Sequence, residues 1–112
     1  MLFRSAKLRE QAARRPNDDG TLQRLVEALL EEGRNRDALA VAEQLARLKP
    51  RRPAAWLAAS RTALANRNLI RARDWLQVAR RLGADGEEFW LLMADMAYDA
   101  GNDDTEIGRA HV

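Results

Sequence analysis

An all-α chain, a solenoid of stacked antiparallel helix pairs, is what this sequence predicts. Three observations carry the prediction. Ala and Leu dominate a hydrophobic content of 46%, and aromatics make up only 5%. With β-branched residues also few, this balance favours helix over sheet. Apolar residues recur at three- and four-residue spacing and stop at Gly or Pro. The chain also repeats itself. Trp56 and Trp90 lie 34 residues apart, and Leu22 lies 34 before Trp56. The same shift carries Gly33 through Arg67 to Gly101, Ala38 to Ala72, Pro16 to Pro50, and Leu8 through Ala42 to Leu76. Several coincidences at one period are the signature of a repeat architecture.

The elements follow in order. The stretch "AKLREQAARR", residues 6–15, aligns with the second helix of a pair and runs into Pro16. Over 19–32, Leu22, Leu25, Val26, Leu29 and Leu30 keep helical spacing. Gly33 then frees the backbone to turn. "NRDALAVAEQLARLK" opens a second helix over 35–48, and Pro50 ends it, because proline cannot continue the hydrogen-bond ladder and restricts the residue before it. The next pair is expected over 53–66, carrying Trp56 and Ser60, and over 69–82, carrying Ala72 and Ala79. A last first-type helix is expected over 87–100, carrying Trp90 and closing at a Gly101 turn. Small residues such as Ala38 and Ala72 let paired helices approach closely. Each pair has more apolar surface than it can bury alone, so pairs must stack.

With these residues in place, the sequence resembles the tetratricopeptide repeat (TPR) family. That family repeats a helix–turn–helix with a large apolar residue or Trp early in the first helix. Leu and a small residue follow a turn later, Ala sits in the second helix, and Pro ends it. Leu22, Leu25, Ala38 and Pro50 match in one repeat. Trp56, Ser60, Ala72 and Ala79 match in the next, and Trp90, Met93 and Ala94 in the last. The resemblance covers about residues 6–104. Val26 is larger than the pattern's small residue, and Leu29, Ala63 and Ala97 replace an aromatic. Arg67 stands where a turn glycine is expected, flanked by Asn66 and Asn68, which tolerate turn conformations.

The two ends read differently. Written back into codons, "MLFRS" at 1–5 and "EIGRAHV" at 106–112 look like the two ends of a short-read sequencing adapter, in the orientation of a read-through insert. Glu106 also stands where the repeat expects a small residue. The expected organisation is therefore 1–5 adapter, 6–16 the second helix of a truncated repeat, 17–50 and 51–84 complete repeats, 85–105 a first helix and turn, and 106–112 adapter. The excess of Arg over Lys, 17 against 2, and the abundant Ala point to a GC-rich bacterial genome.

Chemistry finds little to stand on. The only histidine is His111, and there is no cysteine. A metal would need carboxylates alone, and "DAGNDDTE" at 99–106 lacks the spacing of a calcium loop. It reads as an inter-helix turn with Asp103 or Asp104 as cap. Ser5, Ser60 and the threonines have no base to form a triad. No glycine-rich phosphate loop occurs. No catalytic residue, cofactor or metal is expected, and the apolar stretches are too broken by Arg to span a membrane. Trp56 and Trp90 are expected in the core rather than as a stacking platform. Trp75, on a second helix, is expected as an inter-repeat contact or a partly exposed ring.

Charge is segregated. Residues 50–81 hold eight Arg against Asp74 alone, and residues 85–106 hold eight acids and no base. The plain reading is that neighbouring helix pairs attract each other. A net charge of +2 is too small to imply nucleic acid.

What the resemblance implies is a concave groove lined by the first helices. Its positions fall here on Gly20, Gln23, Glu27, Leu30 and Glu31; on Ala54, Leu57, Arg61, Leu64 and Ala65; and on Glu88, Leu91, Asp95, Tyr98 and Asp99. Leu57, Leu91 and Tyr98 are the expected apolar anchors. Arg61 is expected to pair with Glu27 or Asp95. The implied function is a non-enzymatic scaffold that binds a protein or peptide, apolar with basic residues. The Lys and Asn of the family's carboxylate clamp are absent, since Gln23 and Glu27, then Leu57 and Arg61, stand at those places. Two other readings stay open. The repeats could be an accessory domain of a larger enzyme, such as a glycosyltransferase, sulfotransferase or protease. Alternatively Arg71, Arg73, Arg80 and Arg81, on the convex second helices, could bind RNA, although no interleaved aromatics are apparent.

Overall fold

The computed structural model describes the backbone of residues 3–111 and the side chains of residues 3–100. Six helices follow in order: α1 (Arg4–Arg14), α2 (Asp19–Glu31), α3 (Asn35–Leu48), α4 (Pro53–Ala65), α5 (Leu69–Arg81) and α6 (Glu87–His111). No strand occurs among the described residues. The first five helices follow the expected spans to within two residues.

Local chemistry sets these ends. Asp18 caps α2, accepting from the Gly20 N–H at 3.1 Å and the Thr21 hydroxyl at 2.9 Å. The Asn68 side chain caps α5 through the Arg71 N–H at 3.1 Å. Pro53 opens α4, where its missing N–H has no helical partner to lose. Three helices end in one motif. Arg34, Asn68 and Ala84 donate their N–H groups to Leu29, Ala63 and Ala79 carbonyls at 2.8, 2.9 and 3.0 Å. Each motif needs a residue with positive φ just before that donor. Gly33 supplies 74° and Gly83 supplies 102°, while Arg67 takes 61° against its own Cβ. The repeat thus holds its turn even where the residue type does not favour it.

Packing runs from each helix to the next. Leu22, Val26 and Leu29 of α2 are fully buried, as are Ala38, Ala42 and Leu45 of α3. On α4 and α5 the buried set is mostly Ala (Ala55, Ala58, Ala59, Ala63, Ala72 and Ala79), joined by Ser60, Thr62 and Leu76. Small side chains keep these backbones close, and the Ser60 hydroxyl uses the proximity to donate to the Ala72 carbonyl at 2.7 Å. Each fully buried Leu contributes roughly 1.5–3 kcal/mol. The stacking is asymmetric. α2 touches α4 and α4 touches α6, whereas no Cα of α3 lies within 8 Å of one in α5. First helices therefore crowd one side and second helices splay on the other, which gives the solenoid its concave and convex faces.

Three expectations change. Trp90 is not core: it is 57% exposed, and the buried ring is its neighbour Phe89 at 2%. Trp56 is only half-buried, against Val26, Ala42, Ala46 and Ala59. Flanking helices explain the difference. α3 and α5 lie on either side of Trp56, whereas among the described residues only α5 and α4 adjoin α6. The expected turn at Gly101 does not form, and α6 runs on to His111. Gly within a helix costs only about 1 kcal/mol, too little to end one unaided. The Asp103 or Asp104 cap falls on side chains outside the described residues. Arg4 and Ser5 open α1. The Ser5 N–H and hydroxyl both bond Glu32, at 3.1 and 2.6 Å, so a carboxylate caps the start of α1.

Candidate functional site

The concave face is built from α2, α4 and α6, and polar links fix their stagger. Arg52 binds Asp19 where α4 and α2 begin. Arg61 Nη1 donates to Glu88 Oε1 at 3.2 Å, joining α4 to α6. At the other edge Asn66 Nδ2 donates to the Asn35 carbonyl at 2.8 Å, and Asn35 Nδ2 to the Ala65 carbonyl at 3.3 Å. This mutual clasp holds the end of α4 to the start of α3. In the sequence Asn66 stood as a turn residue and Asn35 as the first residue of a helix, with no signal that they would meet.

On this frame the candidate residues fall into two groups. Gln23, Glu27, Leu30, Leu57, Arg61 and Leu64 are half-buried. Leu57 and Leu64 pack against Leu76, Phe89 and Leu92, and Leu30 against Leu25 and Leu29, so these side chains are partly committed to the core. Glu88, Leu91, Asp95 and Tyr98 are exposed, and Asp99 is half-buried. Leu91 is 57% exposed and Tyr98 69%. The accessible apolar surface of this face is thus concentrated on α6.

Charge divides along the same line. Glu31 is held by Arg4 at 3.1 Å and Glu88 by Arg61. Arg61 pairs with Glu88 and not with Glu27 or Asp95, as helix stagger decides which carboxylate its fork can reach. Its Nε is buried without a partner among the described residues. Glu27, Asp95 and Asp99 have no ion pair among the described residues. The Asp18 carboxyl titrates low. Its hydrogen bond from the Thr21 hydroxyl, with the Gly20 N–H and nearby Arg24, holds the carboxyl below its usual 3.8. That is a capping effect rather than a reactive group.

Two features escaped the sequence reading. Phe89 lies 34 residues after Ala55 and 68 after Thr21, and all three are buried. That equivalence was available as a signal for the true core position. The indoles also share a role that needed coordinates. Trp56 Nε1 donates to the Pro50 carbonyl at 2.7 Å and Trp90 Nε1 to the Asp85 carbonyl at 2.9 Å. Each ring pins the loop that leads into its helix, whether or not its faces are covered.

No group of His, Cys, Asp or Glu suited to a metal ion occurs among the described residues. No described helix is long and apolar enough to cross a membrane. No curated protein matches the chain. A family model described as tetratricopeptide repeat matches residues 29–96, from the end of α2 into α6. The match spans more than half the chain and carries the paired-helix stacking, the 34-residue period and the turns at Gly33 and Arg67. The chain belongs to the tetratricopeptide repeat family.

Proposed function

We propose that the chain is a non-catalytic interaction scaffold that holds an apolar, basic peptide against its concave face. Protein contact is the general role of such repeats, and the choice of this face rests on one observation. α6 presents Leu91 and Tyr98 to solvent beside Asp95 and Asp99, whose carboxylates have no ion pair among the described residues. Apolar anchors flanked by acids suit a segment with large apolar residues and Lys or Arg. Burying the anchors supplies affinity, and the acids bias approach and orientation.

The test is selection of a random peptide library on the intact chain, followed by affinity measurement on variants. Selected peptides should carry both apolar and basic residues. Leu91→Ala and Tyr98→Ala should each weaken them by roughly tenfold, the loss of about 1.4 kcal/mol per anchor. Selected peptides that ignore both substitutions, with the helical content unchanged, would remove the site from this face.

A further inference from the structure

The convex side carries an unassigned slot between α3 and α5. These second helices splay, and the gap between them holds a cavity of about 340 Å³ lined by Glu43, Ala46, Arg47, Trp56, Arg71 and Trp75. We propose that this slot is a second docking site, for an acidic peptide segment that inserts one large apolar or aromatic side chain. The inference is independent of the concave reading and concerns the opposite face.

The lining supplies an apolar receptor. Trp56 comes from α4 and reaches the slot half-buried. Its N–H is already satisfied by the Pro50 carbonyl at 2.7 Å, so what it offers a ligand is hydrocarbon and a π face. Trp75 stands on the α5 wall, also half-buried. The Arg71 guanidinium lies 5.7 Å from the Trp75 ring centroid, while its Nη1 binds Glu43 Oε1 at 2.9 Å. That chain of contacts fixes both walls. An inserted side chain therefore meets a preformed site, which lowers the ordering cost of binding.

The rim supplies the charge preference. Glu43 is the only acid lining the slot, and Arg71 neutralises it. Arg47 is exposed on the rim, and Lys49 and Arg51 follow in the loop that carries Pro50. None of these three has an ion pair among the described residues. The loop also borders its own open recess, lined by Leu48, Lys49, Pro50, Arg51, Arg52 and Pro53. An apolar receptor with unpaired bases on one side selects an apolar anchor followed by carboxylates.

The same geometry argues for a peptide over a nucleic acid. Single strands bind by stacking successive bases on successive aromatic faces. Here there is one slot, and a guanidinium already stands over Trp75. An anchor from a peptide needs only that one receptor.

The experiment uses the full chain and a fluorescent synthetic peptide with one central phenylalanine among Asp and Glu residues. Its controls are the same peptide with Phe→Ala, the peptide with Lys in place of the acids, and oligouridine. Anisotropy should show saturable binding of the acidic Phe peptide alone. Arg47→Glu with Arg51→Glu should weaken it by about tenfold or more, since exposed charges change without touching the core. Trp75→Ala should remove it, and circular dichroism should show the helices retained. Tyr98→Ala, on the concave face, should leave it unchanged, so failure here and failure of the concave reading are separable. Equal binding of the Lys peptide, indifference to the Arg47 and Arg51 reversal, or tighter binding of oligouridine would each overturn the proposal.

Discussion

Trp56 and Trp90 occupy the same place in successive repeats, and both pin their entry loops through the indole N–H. Yet Trp56 is half-buried and Trp90 is 57% exposed. The residues beside them diverge in the same way. Ala59 and Ala63 of α4 are fully buried, whereas the corresponding Met93 and Ala97 of α6 are exposed. A repeat position is therefore not a burial state. It becomes one when flanking helices arrive, which is what nearest-neighbour stability means in a stacked array.

This contrast can be pressed hardest by substitutions at equivalent positions. Ala59→Met should destabilise by about 1–3 kcal/mol, because Val26, Ala42 and Ala46 pack around it and leave no room for extra methylenes. Met93→Ala, its mirror on α6, should cost well under that, because most of its neighbours are solvent. Thermal or denaturant unfolding of the pair measures both, and equal effects would break the comparison. Trp56→Ala against Trp90→Ala comes next. The first should cost about 2 kcal/mol and the second about 1 kcal/mol or less, each including loss of the loop hydrogen bond.

The turns sharpen the comparison from another side. Arg67 takes a positive φ that Gly33 and Gly83 adopt without penalty. Arg67→Gly should stabilise by about 0.5–1 kcal/mol, relief of backbone strain being partly offset by the freer unfolded chain. An unchanged or lowered Tm would mean that the arginine side chain contributes there.

The smallest effect is a pH effect at Asp18. Its folded carboxyl titrates below the usual 3.8, so its cap contributes fully above that pH. The contribution is lost as pH falls through the lowered folded value. Asp18→Ala should therefore reduce Tm slightly at neutral pH, and the gap to the parent chain should close below pH 3.8. A gap that persists in strong acid would assign the cap to something other than the carboxylate.

Most of the helix plan was legible because its punctuation is local. Pro16, Pro50, Gly33 and the apolar spacing of α2 act within a few residues of where they stand. Even the turn at Arg67 was legible, through its equivalence with Gly33 rather than its residue type. The burial of Phe89 in place of Trp90 was not read, because burial belongs to the neighbours as much as to the residue. The passage of α6 through Gly101 was missed for a related reason: a weak helix breaker ends a helix only when a better arrangement competes. At the candidate site, the choice of face came from the family resemblance rather than from the residues themselves. The partner of Arg61 could not be read, since Glu27, Glu88 and Asp95 are all plausible until helix stagger is known.

The claim that the concave surface of α6 receives the partner is tested most directly by binding kinetics of a selected peptide at low and high salt. Asp95→Lys with Asp99→Lys should slow association, and should do so much more at low salt, where the Debye length is long. Leu91→Ala and Tyr98→Ala should instead speed dissociation at both. Rates that none of these substitutions alters, in a chain that remains helical, would contradict the account.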